Sequence, residues 1–135
     1  IDKVIKLGVM NTALSLTQVK DASSSKKTDG RKVNTIRGIP KLIDANKAGT
    51  AQSQKCTLIL TEGDSAKAGV VSGLSASDRN FIGVYPLKGK MANVRNFSEK
   101  KFSENKECNE LKKILGLESG KTYTEDTMKS LRYGK

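Results

Sequence analysis

The sequence contains no histidine and no tryptophan, and it has only two cysteines. Without histidine, this chain cannot supply an imidazole as a catalytic base. The two cysteines, Cys56 and Cys108, lie far apart in the chain and lack the close spacing of zinc-finger ligands. So few cysteines in 135 residues fit a reducing compartment better than a disulfide-stabilised secreted protein.

Aromatic residues are also scarce, at 4% of the chain, and hydrophobic residues reach only 36%. This composition predicts a small, mainly aliphatic core in a chain of about one domain. No apolar run approaches the roughly 20 residues of a membrane-spanning helix, and residues 1–6 do not resemble a signal peptide. We therefore expect a soluble, intracellular protein.

Positive charge is abundant. Lys and Arg number 25 against 14 Asp and Glu, for a formal net charge of +11, and residues 1–55 contribute most of the excess. Such a chain is expected to bind a polyanion, with nucleic acid ahead of anionic lipid. Neither the dinucleotide-binding glycine fingerprint nor a phosphate-binding P-loop is present, so nucleotide binding by this segment is not expected.

Hydrophobic spacing predicts three helices outside the central part of the chain. They cover residues 2–19, residues 104–115 with Gly116 as the end, and residues 124–131 with Thr124 as N-cap. Residues 21–32 are polar and charged, which is typical of a solvated linker, and a domain boundary is expected there.

The central part of the chain predicts a strand, a helix and a second strand. Residues 56–61 form an apolar run without polar alternation, as expected for a strand covered on both faces. Residues 81–85 form the second strand, which Pro86 should end. This order favours a βαβ unit with parallel strands.

Acidic side chains follow the first of these strands. Glu62 stands at its carboxyl end, and Gly63 permits a sharp turn into a helix of small residues that ends near Gly73. Ligands of open α/β sheets usually bind at this edge, and two carboxylates, Glu62 and Asp64, suit Mg²⁺. A purely structural explanation is also open. In it, Asp64 or Ser65 caps the helix and Glu62 is a solvated residue of the turn.

A basic loop, residues 88–90, follows the second strand. Its ammonium groups around a glycine could meet backbone phosphates as point charges, although an ordinary solvated loop has the same composition. The basic pairs at residues 26–27 and 31–32 are typical of solubilising charge in a linker.

Two longer strings are more specific than these spacings, and both closely resemble the TOPRIM region of type IIA DNA topoisomerases. They are Leu58-Ile59-Leu60-Thr61-Glu62-Gly63-Asp64-Ser65-Ala66-Lys67 and Tyr85-Pro86-Leu87-Lys88-Gly89-Lys90-Met91-Ala92-Asn93-Val94-Arg95. Residues 39–49, 111–117 and 130–135 resemble the eukaryotic branch of the family. The resemblance covers about residues 37–135.

The resemblance implies an α/β fold of the TOPRIM type, a Rossmann-like parallel sheet with flanking helices, here incomplete. Residues 1–36 would be a helix and basic linker from the ATPase and transducer side, and residues 37–135 the N-terminal part of the TOPRIM domain. In the family, an Asp-x-Asp-x-Asp-Gly motif that completes the metal site follows the stretch matching residues 132–135. The nucleophilic tyrosine belongs to a separate winged-helix domain. This segment alone is therefore expected to be inactive, and its own tyrosines to be packing residues.

The family also implies roles for individual residues. Glu62 would be the catalytic acid that binds Mg²⁺ and assists proton transfer, supported by Asp64 and Ser65. DNA contacts would come from Lys88, Lys90 and Asn93, with Lys88 standing where eukaryotic members usually have arginine. No further cofactor site is expected in this segment, because ATP would bind another domain of the parent protein.

The implied activity is ATP-driven passage of one duplex through a transient double-strand break. The implied partners are double-stranded DNA, the ATPase and winged-helix domains, and a second copy in a homodimer, with no membrane. The expected location is the nucleus, or a cytoplasmic replication site if the protein is viral. Two alternatives stay open: a TOPRIM segment of a primase or nuclease, and a non-catalytic nucleic-acid-binding module whose acids are structural.

Overall fold

The computed structural model describes residues 26–91 and 93–135. Its strands are β1 (Thr57–Glu62) and β2 (Ile82–Leu87), and its helices are α1 (Asp64–Gly73), α2 (Glu99–Glu104) and α3 (Lys106–Leu115). Short 3-10 turns occupy Ser53–Lys55, Asp78–Asn80, Val94–Asn96 and Thr127–Ser130. The predicted helix over residues 2–19 lies outside the described residues, as do residues 21–25 of the predicted linker.

The two strands pair in parallel and are connected through α1, in a register that runs from Thr57 opposite Ile82 to Glu62 opposite Leu87. The predicted strand, helix and strand unit is therefore confirmed. An isolated antiparallel bridge joins Ile43 to β2 on its other edge. β1 also has a neighbour on its other edge, where the Leu58 N–H donates to the carbonyl of Lys135 at 2.9 Å. β2 is nevertheless the more buried strand.

Pro86 lies inside β2, so the prediction that it ends the strand is wrong. On the edge that faces β1, the Gly63 N–H donates to the carbonyl of Leu87 at 3.1 Å. On the opposite edge, Val84 exchanges both backbone hydrogen bonds with Ile43. Backbone groups of successive residues point to alternate edges of the strand, so the nitrogen of Pro86 points away from β1. The missing N–H of Pro86 therefore removes no hydrogen bond between β1 and β2.

The expectation that β1 is covered on both faces is also wrong. Leu60 is 45% exposed, and α1 has no buried residue. The core gathers instead around β2, α3 and the C-terminal residues, and its members are Ile39, Ala45, Ala48, Cys56, Tyr85, Ile114 and Tyr133.

The predicted helix over residues 104–115 is broken at Asn105. The Asn105 side chain accepts a hydrogen bond from the Cys108 N–H at 3.0 Å and so caps the start of α3. Gly116 ends α3, as predicted, with a left-handed φ of 77°. In the part of the chain that the structure describes, no helix has both the length and the apolar character to cross a membrane.

The predicted helix over residues 124–131 is only the 3-10 turn Thr127–Ser130, and Thr124 is not its N-cap. The Thr127 hydroxyl is 3.2 Å from the carbonyls of Thr122 and Thr124, and it also accepts from the Thr124 N–H. These local bonds compete with helical ones.

The stretch just before residue 36 packs against α3 instead of forming a free linker. The Lys112 ammonium group, on a residue only 6% exposed, is 3.0 Å from the Asp29 carboxylate. Ser119 donates to the same carboxylate through its N–H and its hydroxyl. Gly30 is buried, donates to the Leu117 carbonyl at 2.7 Å, and has no room for a Cβ, which would lie 2.1 Å from a backbone oxygen of α3. The division at residue 36 stays a prediction, but Asp29 and Gly30 before it are packed against the end of α3.

Asp29 makes this packing sensitive to acid. Burial alone would raise the pKa of Asp29, but hydrogen bonds from Ser119 and Lys112 hold that pKa below its ordinary value of 3.8. A carboxylate with a lowered folded-state pKa stabilises the fold above its unfolded pKa, about 3.9, and loses that contribution as the pH falls through the folded value. We expect the free energy of unfolding in urea to fall below about pH 4, and to fall less in Asp29→Asn. An equal fall in the free energy of unfolding of both proteins at acid pH would contradict this prediction.

A second buried network joins distant parts of the chain. The Arg132 guanidinium is fully buried and pairs with the Asp44 carboxylate. It also donates to the carbonyls of Val33 at 2.7 Å and Ile114 at 2.9 Å. The Tyr133 hydroxyl donates to the second oxygen of Asp44. We call this set the Arg132 network.

Candidate metal and nucleic-acid site

The chain turns sharply at the end of β1. Gly63 has a φ of 90°, which glycine adopts without strain, and its N–H donates to the carbonyls of Thr61 and Leu87 at 3.1 Å each. This turn holds Glu62 at the carboxyl end of the parallel pair, opposite Leu87 in the register. Glu62 is exposed, so its carboxylate can meet a ligand at this edge.

Asp64 and Ser65 lie in the first turn of α1, but neither is the predicted helix cap. The N-cap position belongs to Gly63, which makes no side-chain capping bond. The Asp64 carboxylate is instead 3.5 Å from the Lys41 ammonium group, with both side chains more than half exposed. An ion pair this exposed contributes little free energy, so another cation could readily replace Lys41.

The carboxylates of Glu62 and Asp64 can be compared with the ligands that Mg²⁺ requires. Mg²⁺ typically takes one or two carboxylates and fills its other positions with water and phosphate oxygens. Across residues 26–91 and 93–135, no three Asp, Glu, Cys or His side chains gather into a metal-binding group. The carboxylates of Glu62 and Asp64 are hard oxygen donors of the kind that Mg²⁺ takes, and they could supply only part of its ligands.

The basic loop begins directly after β2, at the same edge as Glu62. Lys88, Gly89 and Lys90 are all exposed, and Gly89 has a positive φ of 85°. The Lys88 N–H donates to the carboxylate of Glu107, in the first turn of α3. This bond ties the start of the loop to a helix through the backbone, and the lysine side chains remain at the surface.

Asn93 has a local structural role. Its side-chain oxygen accepts a hydrogen bond from the Arg95 N–H at 3.1 Å and caps the 3-10 turn Val94–Asn96. The residue is exposed, and this bond does not use the side-chain NH₂ group. A contact from Asn93 to phosphate would therefore come from that donor.

A recess of about 190 Å³ lies beside the basic loop, between the stretch around Pro40, the end of β2 and the start of α3. Within its lining, the Tyr85 hydroxyl donates to the Glu110 carboxylate. Burial, together with this bond, raises the pKa of Tyr85. Neither this pair nor the contact of Lys41 with Asp64 could be predicted from the sequence, because no local pattern relates residues so far apart.

The buried thiols and phenols of the described residues are poor nucleophiles. Burial raises the pKa of Cys56 and of Cys108, which keeps both as neutral thiols. Burial also raises the pKa of Tyr133, as does its hydrogen bond to Asp44. Tyr85 and Tyr133 are packing residues, as the family resemblance implied. The reactive groups of this edge are therefore its carboxylates and ammonium groups.

Known proteins are similar to this chain over all or nearly all of its length. The chain is 52% identical to DNA topoisomerase 2 of Drosophila melanogaster over 136 residues, which is 100% of this chain and 9% of that protein. It is 48% identical to DNA topoisomerase 2 of Acanthamoeba polyphaga mimivirus over 131 residues, 97% of this chain and 10% of that protein. The chain thus spans about a tenth of the length of these relatives. No protein-family model matches it.

A solved structure is also similar. The Plasmodium falciparum topoisomerase II DNA-binding, cleavage and re-ligation domain matches with a TM-score of 0.70 and 52% identity, over 76% of this chain and 14% of that one. This similarity and the parallel strand pair with its helices confirm the predicted α/β fold class. By sequence and by fold, the chain is therefore a member of the eukaryotic-type DNA topoisomerase II family, matching one segment of those enzymes.

Proposed function

We propose that this chain is a segment of an ATP-dependent DNA topoisomerase II, an isomerase that cleaves, passes and religates duplex DNA. The observation that carries the proposal is one edge of the parallel pair. Glu62 ends β1 there, and the exposed lysines of the basic loop follow β2. A carboxylate that can hold a divalent cation beside ammonium groups that can hold phosphate suits phosphodiester chemistry.

The residues have distinct proposed roles at this edge. When bound, Mg²⁺ would supply electrostatic stabilisation of a phosphate oxygen. Glu62 would hold the cation and assist proton transfer, with Asp64 and Ser65 in support. The lysines, Lys88 and Lys90, would bind backbone phosphates as point charges without reading bases. Asn93 would add one neutral donor.

The proposal extends to partners outside this chain. Double-stranded DNA would be the substrate, and the ATPase and winged-helix domains would supply ATP binding and the nucleophilic tyrosine to a homodimer. The location would be the nucleus, or a cytoplasmic replication site for a viral protein. Similarity over nearly the whole chain to DNA topoisomerase 2 of an insect, a plant and a virus supports this function over a primase or nuclease.

A chimera tests the proposal. Residues 37–135 would replace the matching segment of the Drosophila melanogaster DNA topoisomerase 2, whose identity to this chain is 52%. We expect the chimera to relax supercoiled DNA in the presence of Mg²⁺ and ATP, because the exchanged segment would supply the same acid and phosphate contacts. The same exchange with the Pisum sativum segment is the control. A chimera that folds and binds DNA without cleaving it, beside an active control, would contradict the proposal.

A further inference from the structure

A second cationic surface lies at the end of α3 that is remote from the basic loop. We call it the amino-terminal basic surface, and its exposed members are Lys26, Lys27, Arg31, Lys32, Lys121 and Lys129. Three of them line one recess of about 470 Å³, namely Lys26, Lys27 and Arg31. The Lys32 ammonium group donates to the backbone carbonyl of Lys129. This contact places Lys129 next to Lys32 on the same surface.

The acids of this recess are already engaged by lysines. The recess is lined by Asp29 and Glu118 besides its basic residues and Gly30. Asp29 is 3.0 Å from the Lys112 ammonium group, and Glu118 is 3.9 Å from that of Lys121. Among the described ion pairs, none involves Lys26, Lys27 or Arg31, whereas the charge of Lys121 is partly offset by Glu118.

The backbone beneath these cations is fixed. Gly30 donates to the Leu117 carbonyl, and a Cβ at Gly30 would lie 2.8 Å from the Cα of Gly116. The ion pair of the partly exposed Asp29 with the buried Lys112 anchors the residue before Gly30 to α3. Charges held on a packed backbone bind with less loss of conformational entropy than charges on a mobile linker.

This surface is separate from the proposed cleavage site. The basic loop bonds to Glu107 at the first turn of α3, whereas Gly30 packs against Gly116, directly after its last turn. A ten-residue helix is about 15 Å long. Lys88 and Lys90 therefore cannot account for binding at the amino-terminal basic surface.

We infer that the amino-terminal basic surface binds the phosphate backbone of DNA without sequence preference. The Lys and Arg side chains that line the recess suit phosphate contacts, and none of its described lining residues is aromatic. On the wider surface, the Tyr123 ring centroid lies 5.6 Å from the Lys121 ammonium group. Among the described residues, the recess lining also has no apolar side chain. This disfavours an anionic lipid surface, where apolar residues enter the membrane interface. The inference rests on the proposed function in one respect, namely that the polyanion bound by this surface is DNA.

The test compares charge-matched variants of the whole 135-residue chain. The first carries Lys26→Gln, Lys27→Gln and Arg31→Gln. Its control carries Arg37→Gln, Lys47→Gln and Lys55→Gln, which are also exposed. Binding to a duplex of mixed sequence would be followed by fluorescence anisotropy over a salt series. We expect the slope of log affinity against log salt to shrink by about 2 to 3 in the first variant, because each lost phosphate contact removes about 0.9. The control should change by less than about 1.

Two outcomes overturn the inference. One is an equal change of slope in both variants, and the other is binding of phosphatidylserine vesicles that the first variant loses while its DNA binding is unchanged. A third variant, Lys88→Gln with Lys90→Gln, separates this inference from the proposed function. If only the third variant changes the slope, the inference fails and the proposed function stands; if only the first does, the inference holds and the phosphate role of the basic loop fails. Unchanged circular dichroism spectra verify folding.

Discussion

Replacing Glu62 by glutamine in the chimeric enzyme is expected to abolish DNA cleavage and religation while ATP hydrolysis continues. Glutamine is nearly isosteric with glutamate but neutral, so it removes an anionic ligand for Mg²⁺ and a group that can accept a proton. Loss of acid or base assistance alone lowers rates by about 10²- to 10⁴-fold. ATP hydrolysis should persist because the ATP site is proposed to lie in another domain. Cleavage-complex yield and ATPase rate, measured on the same preparation, check this.

The control for this variant is Glu104→Gln, an equally conservative change at an exposed position in the last turn of α2. Glu104 is remote in sequence from both strand ends, and the control is expected to relax DNA at an unchanged rate. Normal relaxation by Glu62→Gln would remove this residue from the site and leave the carboxyl edge of β1 without a catalytic acid.

Replacing Arg132 by methionine is expected to destabilise the fold by about 3 to 5 kcal/mol. The Arg132 side chain is 0% exposed and that of its partner Asp44 is 24% exposed, so the variant leaves a largely buried carboxylate without its cation. The carbonyls of Val33 and Ile114 also lose a donor, and unpaired buried acceptors are costly. Urea unfolding of the whole chain measures the loss.

Arg37→Met is the matched control, since Arg37 is exposed. Its substitution should change the free energy of unfolding by no more than about 0.5 kcal/mol. If Arg132→Met cost less than about 1 kcal/mol, the Arg132 network would not be holding these segments together.

Local patterns predicted the part of the fold whose interactions are local. The run over residues 56–61, the glycine at position 63 and the small residues after it define the strand, turn and helix with little help from elsewhere. Gly116 is similar, because a helix end that needs a left-handed residue is visible in the sequence itself. The order of the strands predicted that Glu62 and the basic loop lie at the same edge of the sheet. The roles of these residues were predicted from the family resemblance.

Contacts between distant residues explain what the sequence did not predict. Lys112 has the spacing of an ordinary surface lysine on an amphipathic helix. It is nevertheless buried, because its ammonium group donates a hydrogen bond to the carboxylate of Asp29, 83 positions away. The linker interpretation failed for Gly30 for the same reason, since its partner surface belongs to the end of α3. Composition alone cannot reveal such pairs.

The Arg132 network has a consequence for folding during synthesis. Its bond from Arg132 to Val33 spans 99 positions, and the bond from Tyr133 to Asp44 spans 89. A ribosome that adds about 5 to 20 residues per second needs roughly 5 to 20 seconds to pass from one partner to the other. Throughout that interval the Asp44 carboxylate has no guanidinium to neutralise it, and the core around β2 lacks Tyr133. The nascent segment should therefore be a substrate for holding chaperones until its last core residues emerge from the exit tunnel.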